Sequence, residues 1–154
     1  MKTIGKIMVA VDFSDYSVPA VRYAAQLAKE VAADLFLVNV FNQRDVLMME
    51  KVAAAAPGFS VEHHLEETLR ERRDHLNQIL DSTGARGIKG TVETMVRVGV
   101  PYEELLRAIT EKNPDLLVMA AKGRSNLADA IVGSCAHKMF RRCPIPLLLL
   151  RDKK

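Results

Sequence analysis

The sequence predicts an α/β fold: an open, doubly wound, Rossmann-like parallel sheet of five strands in the order 3-2-1-4-5, with helices on both faces. Three observations carry this. Short runs that are apolar at nearly every position, Ile7 to Val11, Leu35 to Val40 and Leu116 to Met119, have the character of central strands covered on both sides. Longer segments with apolar residues at helical spacing lie between them. Alternation of strand and helix-length crossover, with right-handed connections, builds a parallel sheet.

The first strand ends at Asp12. Ser14 or Ser17 is placed to cap the helix that follows, Pro19 fits its first turn, and Val18, Val21, Ala25, Ala28 and Val31 form its inner stripe. Asp34 opens the second strand. Residues 41–60 lose periodicity around Met48-Met49, Ala53 to Ala56 and Pro57-Gly58; a few helical turns within a long loop are expected there. A helix from Val61 to Ser82 puts Leu65, Leu69, Leu76, Ile79 and Leu80 inward and Glu66, Glu67, Arg70, Glu71, Arg72 and Arg73 outward, and Gly84 ends it. Thr91 to Val96 alternates apolar with polar, which suits a strand near the sheet edge. Gly99-Val100-Pro101 turns into a helix carrying Leu105, Leu106 and Ile109 that stops before Asn113-Pro114. After the fourth strand and a glycine-bearing loop, a helix from Gly133 to Arg142 leads through Cys143-Pro144-Ile145-Pro146 into a last strand, Leu147 to Leu150.

At 154 residues, 1–154 is expected to form one domain that needs no disulfide or metal to fold. Lys and Arg exceed Asp and Glu by 22 to 19, too small and dispersed an excess to imply nucleic acid. The first apolar run is shorter than a signal-peptide core, and no stretch approaches the roughly 18 apolar residues of a membrane span, so a cytoplasmic protein without membrane contact is expected. Cys135 and Cys143 match neither a redox nor a zinc spacing and read as reduced, structural thiols.

In a sheet of this order, ligands bind at the carboxyl ends of the strands flanking the point where the order reverses, here the first and fourth. Asp12 should therefore face the loop from Ala120 to Val132. That loop ends in Gly133-Ser134 at a helix start, where free N–H groups and the helix dipole favour an anion. Neither G-x4-G-K-[ST] nor G-x-G-x2-G occurs, and no nucleophile elbow accompanies Ser134, His137 and Asp129. His63, His64 and His75 lack a metal-binding pair spacing.

The loop closely resembles the nucleotide loop of the universal stress protein family, G-x2-G-x9-G followed by Ser or Thr. Gly123 and Gly133 are the second and third glycines, with nine residues between them, and Ser134 is the hydroxyl. Val11-Asp12-Phe13-Ser14, Val38-Asn39-Val40, Val98-Gly99-Val100-Pro101 and Cys143-Pro144-Ile145-Pro146-Leu147 are similar to further family landmarks, so the resemblance spans the chain. It implies ATP or another adenine nucleotide, with Mg2+ as a candidate companion. Asp12 would accept from the ribose hydroxyls with Ala10 at the same strand end, Val40 would meet the adenine through its backbone, and Gly123, Gly133 and Ser134 would hold the phosphates. Lys122 and Arg124 are added from charge and position alone.

One departure stands at the mouth of this site, where Ala120 replaces the first motif glycine. If that position requires positive φ, alanine costs about 1–2 kcal/mol there, or roughly one decade in affinity. Three readings follow: a nucleotide-binding regulatory module in stress response, the same fold working only through protein contacts, and a slow ATPase. The unalternating Leu147 to Leu150 at a sheet edge invites pairing with a second copy, giving a homodimer; regulatory protein partners are unidentified.

Overall fold

A computed structural model describes residues 2–123 and 132–151. It shows a five-stranded parallel sheet in the order β3-β2-β1-β4-β5, as the sequence predicts. The elements are β1 (Lys6–Ala10), α1 (Ser17–Val31), β2 (Asp34–Asn42), α2 (Gln43–Ala55), α3 (Val61–Ser82), β3 (Val92–Gly99), α4 (Pro101–Lys112), β4 (Leu116–Ala120), α5 (Ser134–Arg142) and β5 (Leu147–Leu150), with one turn of 3-10 helix at Ala85–Gly87.

Successive side chains of a strand point to opposite faces, so each apolar run feeds two cores. Ile7, Val9, Leu35, Leu37, Leu116 and Val118 pack under α1 and α3, against Val21, Ala25, Leu76 and Leu80. Met8, Phe36, Val38, Leu117 and Met119 pack under α4 and α5, against Leu105, Ile109 and Met139. This double burial is why the central strands show no polar alternation.

Several local expectations need correction. The helical turns expected in 41–60 form one continuous helix, α2, which follows β2 with no intervening loop and is capped by Asn42, whose side chain accepts from the Arg44 N–H at 3.0 Å. It escapes periodicity because none of its residues is buried and its apolar Leu47, Met48 and Val52 face outward. The N-cap of α1 is Tyr16, without a side-chain cap bond; the Ser17 hydroxyl is committed to Asp12 instead. The third strand runs on to Gly99, whose φ of +154° favours glycine, and a Cβ there would lie 2.7 Å from Glu104 Cγ. Glu104, buried in the first turn of α4, accepts from Arg97 at 2.7 Å and from Arg107 at 2.6 Å, which fixes the β3–α4 turn. Among the described residues, no helix is long and apolar enough to cross a membrane.

The amino ends of β1 and β4 are tied by Asp115. Its carboxylate pairs with Lys2 Nζ at 2.7 Å and accepts from the N–H groups of Gly5 at 2.9 Å and Lys6 at 3.0 Å. The Lys2 ammonium, followed by the Gly5 N–H, holds this carboxyl below the ordinary carboxylate value. A lowered folded-state pKa contributes stability at neutral pH that is lost as pH falls through it. Asp115→Ala is expected to cost about 1–2 kcal/mol in urea unfolding at pH 7. The difference from the native protein should shrink as pH drops below about 3.9, and a pH-independent difference would contradict this assignment.

Candidate functional site

Strand β1 lies between β2 and β4, and the chain leaves its carboxyl end on the opposite side from β4. A cavity of about 290 Å³ opens at this point. Ala10, Asp12, Val40, Ala120, Gly123, Gly133 and Ser134 all line it, as does Lys122. Arg124, and Asp129 of the weaker serine–histidine constellation, lie outside the described residues.

Asp12 is fixed by its own turn. Its Oδ1 accepts from the Ser14 N–H at 2.9 Å and from the Ser17 hydroxyl at 2.7 Å, while its backbone N–H donates to Ser17 Oγ at 3.1 Å. The carboxylate is thus both a turn residue and part of the cavity wall. Phe13 follows at φ 63°, an uncommon conformation for a bulky residue, stacked on His75 with ring centroids 4.2 Å apart.

A Cβ on Gly123 would meet Asp12 Oδ2 at 2.6 Å, so the motif glycine is required by the approach of this carboxylate. Gly133 closes the loop by donating its N–H to the Ala121 carbonyl at 2.8 Å and serves as N-cap of α5. The first N–H groups of that helix have no intrahelical partners and give its start a partial positive charge. Ala120 is the last residue of β4, opposite Leu150, and is not among the positive-φ residues. The strain considered for alanine here therefore does not arise, and what remains is a methyl group in the cavity wall.

One wall residue contradicts the sequence reading. Arg72, expected to point outward, is half-buried and lines the cavity from α3; it donates to Asn39 Oδ1 at 2.8 Å. A signal was present, because position 72 continues the apolar stripe Leu65, Leu69, Leu76, Ile79 at spacings of three and four. Asn42 and Asp45, at the start of α2, also line the cavity; the weak periodicity of residues 41–60 gives no sign of it.

Cys135 reaches the cavity from the first turn of α5. Both cysteines are free. Burial, reinforced by the Asp12 charge, pushes the Cys135 thiol up to about 11, and burial raises Cys143 as well.

The arrangement defines a class: an open, doubly wound α/β protein with a cavity where its strand order reverses. Comparison with known proteins specifies it further. The chain matches the model of the Universal stress protein family over residues 3–151. It is similar to universal stress protein YxiE of Bacillus subtilis, with 30% identity over 148 residues that cover 95% of this chain and 98% of the relative. The structure of a Methanocaldococcus jannaschii protein superposes with a TM-score of 0.82 at 19% identity, covering 99% of both chains. That of a universal stress protein in complex with cAMP gives 0.64 at 25% identity, covering 99% of this chain and 100% of the other. The chain belongs to the universal stress protein family.

Because the thiolate is the reactive form, Cys135 should alkylate slowly at pH 7 to 8 in a Cys143→Ser background. Its rate should climb as pH approaches 11. Asp12→Asn removes the nearby negative charge and should raise the rate at pH 8; an unchanged or lower rate would contradict the placement of the two groups.

Proposed function

We propose that this chain is a cytoplasmic regulatory module that binds an adenine nucleotide, foremost ATP, in the cavity at the carboxyl edge of its sheet. The supporting observation is the convergence of Asp12, Val40, Gly123, Gly133 and Ser134 on one cavity from three strand ends and a helix start. In this reading Asp12 accepts from the ribose hydroxyls, Val40 meets the base, and the phosphates lie against Gly123 and the first N–H groups of α5. The cAMP complex of a family member at 25% identity supports the ligand class.

Mg2+ fits only as a companion of the phosphates. Asp12 already commits Oδ1 to two donors, and among the described residues no group of three or more His, Cys, Asp or Glu side chains could hold an ion. The second reading, a fold that works through protein contacts alone, is favoured by the Ala120 methyl in the wall. Titration calorimetry separates the two. The native protein should bind ATP, and Gly123→Ala should weaken it about tenfold or more by displacing the Asp12 carboxylate. Ala120→Gly should leave affinity unchanged or raise it. No heat with ATP at millimolar concentration for either the native protein or Ala120→Gly would favour the second reading.

The proposal includes a homodimer through β5, through which ligand would influence partner proteins not yet identified. Pro146 O and Leu150 O both accept from the β4 side, so by the two-residue period the backbone groups of Leu147 and Leu149 point away from the sheet. Light scattering should give twice the 17.1 kDa chain mass at micromolar concentration. Leu149→Pro removes an outward N–H without touching the β4 ladder and should shift the mass toward monomer. A monomeric native protein would contradict the dimer.

A further inference from the structure

We propose that Arg72 is a specificity-determining residue of the edge cavity, holding the base end of the ligand with the face and edge of its guanidinium. The proposal rests on the nucleotide reading above.

Arg72 occupies a core position of α3. Leu65, Leu69, Leu76 and Ile79 share its stripe, while Arg70, Glu71, Arg73 and Asp74 around it are exposed. A cation on an apolar stripe is unfavourable unless its charge is satisfied in place. Here the satisfaction is elaborate. Nη1 donates to Asn39 Oδ1 at 2.8 Å, and Cζ lies 4.6 Å from the ring centre of Phe41 and 5.6 Å from that of Phe13. Asn39 is itself buried and its Nδ2 donates to the Val11 carbonyl at 2.7 Å, so the anchor is fixed both in β2 and to the residue that follows β1. These contacts orient the guanidinium in the cavity wall.

Its position decides what it would touch. Arg72 lines the cavity with Val40, Asn42 and Asp45 at the β2 side, whereas Gly123, Gly133 and Ser134 belong to the β4 side, with β1 between them. The phosphate chain is served by the start of α5, which leaves Arg72 with the heterocycle. A guanidinium is planar and weakly hydrated and carries its donors in a fixed fork, so it lies flat on a π-face while its edge donates to ring acceptors, a combination that the compact, strongly hydrated ammonium of lysine lacks.

The test uses the full chain and three probes: ATP, adenosine, which lacks the phosphates, and inorganic tripolyphosphate, which lacks base and sugar. Arg72→Met keeps the apolar stem and should weaken ATP and adenosine about tenfold while leaving tripolyphosphate within about twofold. Arg72→Lys keeps the charge but not the planar fork, so it should show the same selective loss; it also decides the matter if the methionine variant does not fold. A purely structural role would lower all three affinities together, and a phosphate-binding role would lower tripolyphosphate and ATP but spare adenosine. Either result, or unchanged binding of ATP and adenosine by the variants, overturns the proposal while the nucleotide reading stands. A folded native protein that binds neither ATP nor adenosine overturns both.

Discussion

The burial of β1 on both faces and both edges is the constraint on which the rest of the structure depends. Ile7, Met8 and Val9 are fully buried, and β1 pairs with β2 on one side and β4 on the other. A strand so enclosed can release the chain only at its ends. At the carboxyl end the chain turns toward α1 and α3 on one face, while β4 continues toward α5 on the other. The crevice left between these departures is the cavity, whose floor consists of strand ends and therefore cannot collapse without disturbing the sheet.

Asp12 shows how one residue serves both fold and site. Its Oδ1 is consumed by Ser14 and Ser17, and this closes the turn that launches α1. Its Oδ2 lies where a side chain at position 123 would be, and this forces glycine into the loop after β4. The motif glycine thus follows from a packing conflict within the chain itself. Across the cavity, Arg72 stands in a comparable position, held by Asn39 and by the face of Phe41.

What could be read from the sequence follows the same physics. The apolar runs and their helical crossovers reveal the strands because double burial leaves them few polar positions, and the observed order is the expected one. Asp12, Gly123 and Gly133 were legible because their types and spacing form a pattern. The extent of helix α2 was not, since none of its residues is fully buried and its packing on α3 and β2 leaves only a weak apolar period. The charge of Arg72 points it outward, whereas its position on the stripe turns it inward. A charged residue on an apolar stripe signals a special environment, and here the environment is a cavity wall. Ser17 was read as a cap from its type, but only the folded turn shows its hydroxyl bridging the backbone and side chain of Asp12.

The cavity and the free edge of the sheet are also joined. The Gly133 N–H donates to the Ala121 carbonyl, and the Ala121 N–H donates to the Leu150 carbonyl, each at 2.8 Å. Residue 121 therefore links the start of α5 to the end of β5 through one peptide on either side of its Cα. Helix α5 forms the cavity wall with Ser134 and Cys135 and packs Met139 into the core that Leu147 and Leu149 also enter. In the proposed nucleotide complex, a ligand against Gly133 would touch a residue whose hydrogen-bond partner is tied to the edge strand. In the proposed dimer, any preference of the ligand for the paired edge would be returned as an equal preference of the dimer for the ligand, because coupling between two binding equilibria is reciprocal. The edge strand is then the part of the fold where occupancy of the cavity could be read by another chain.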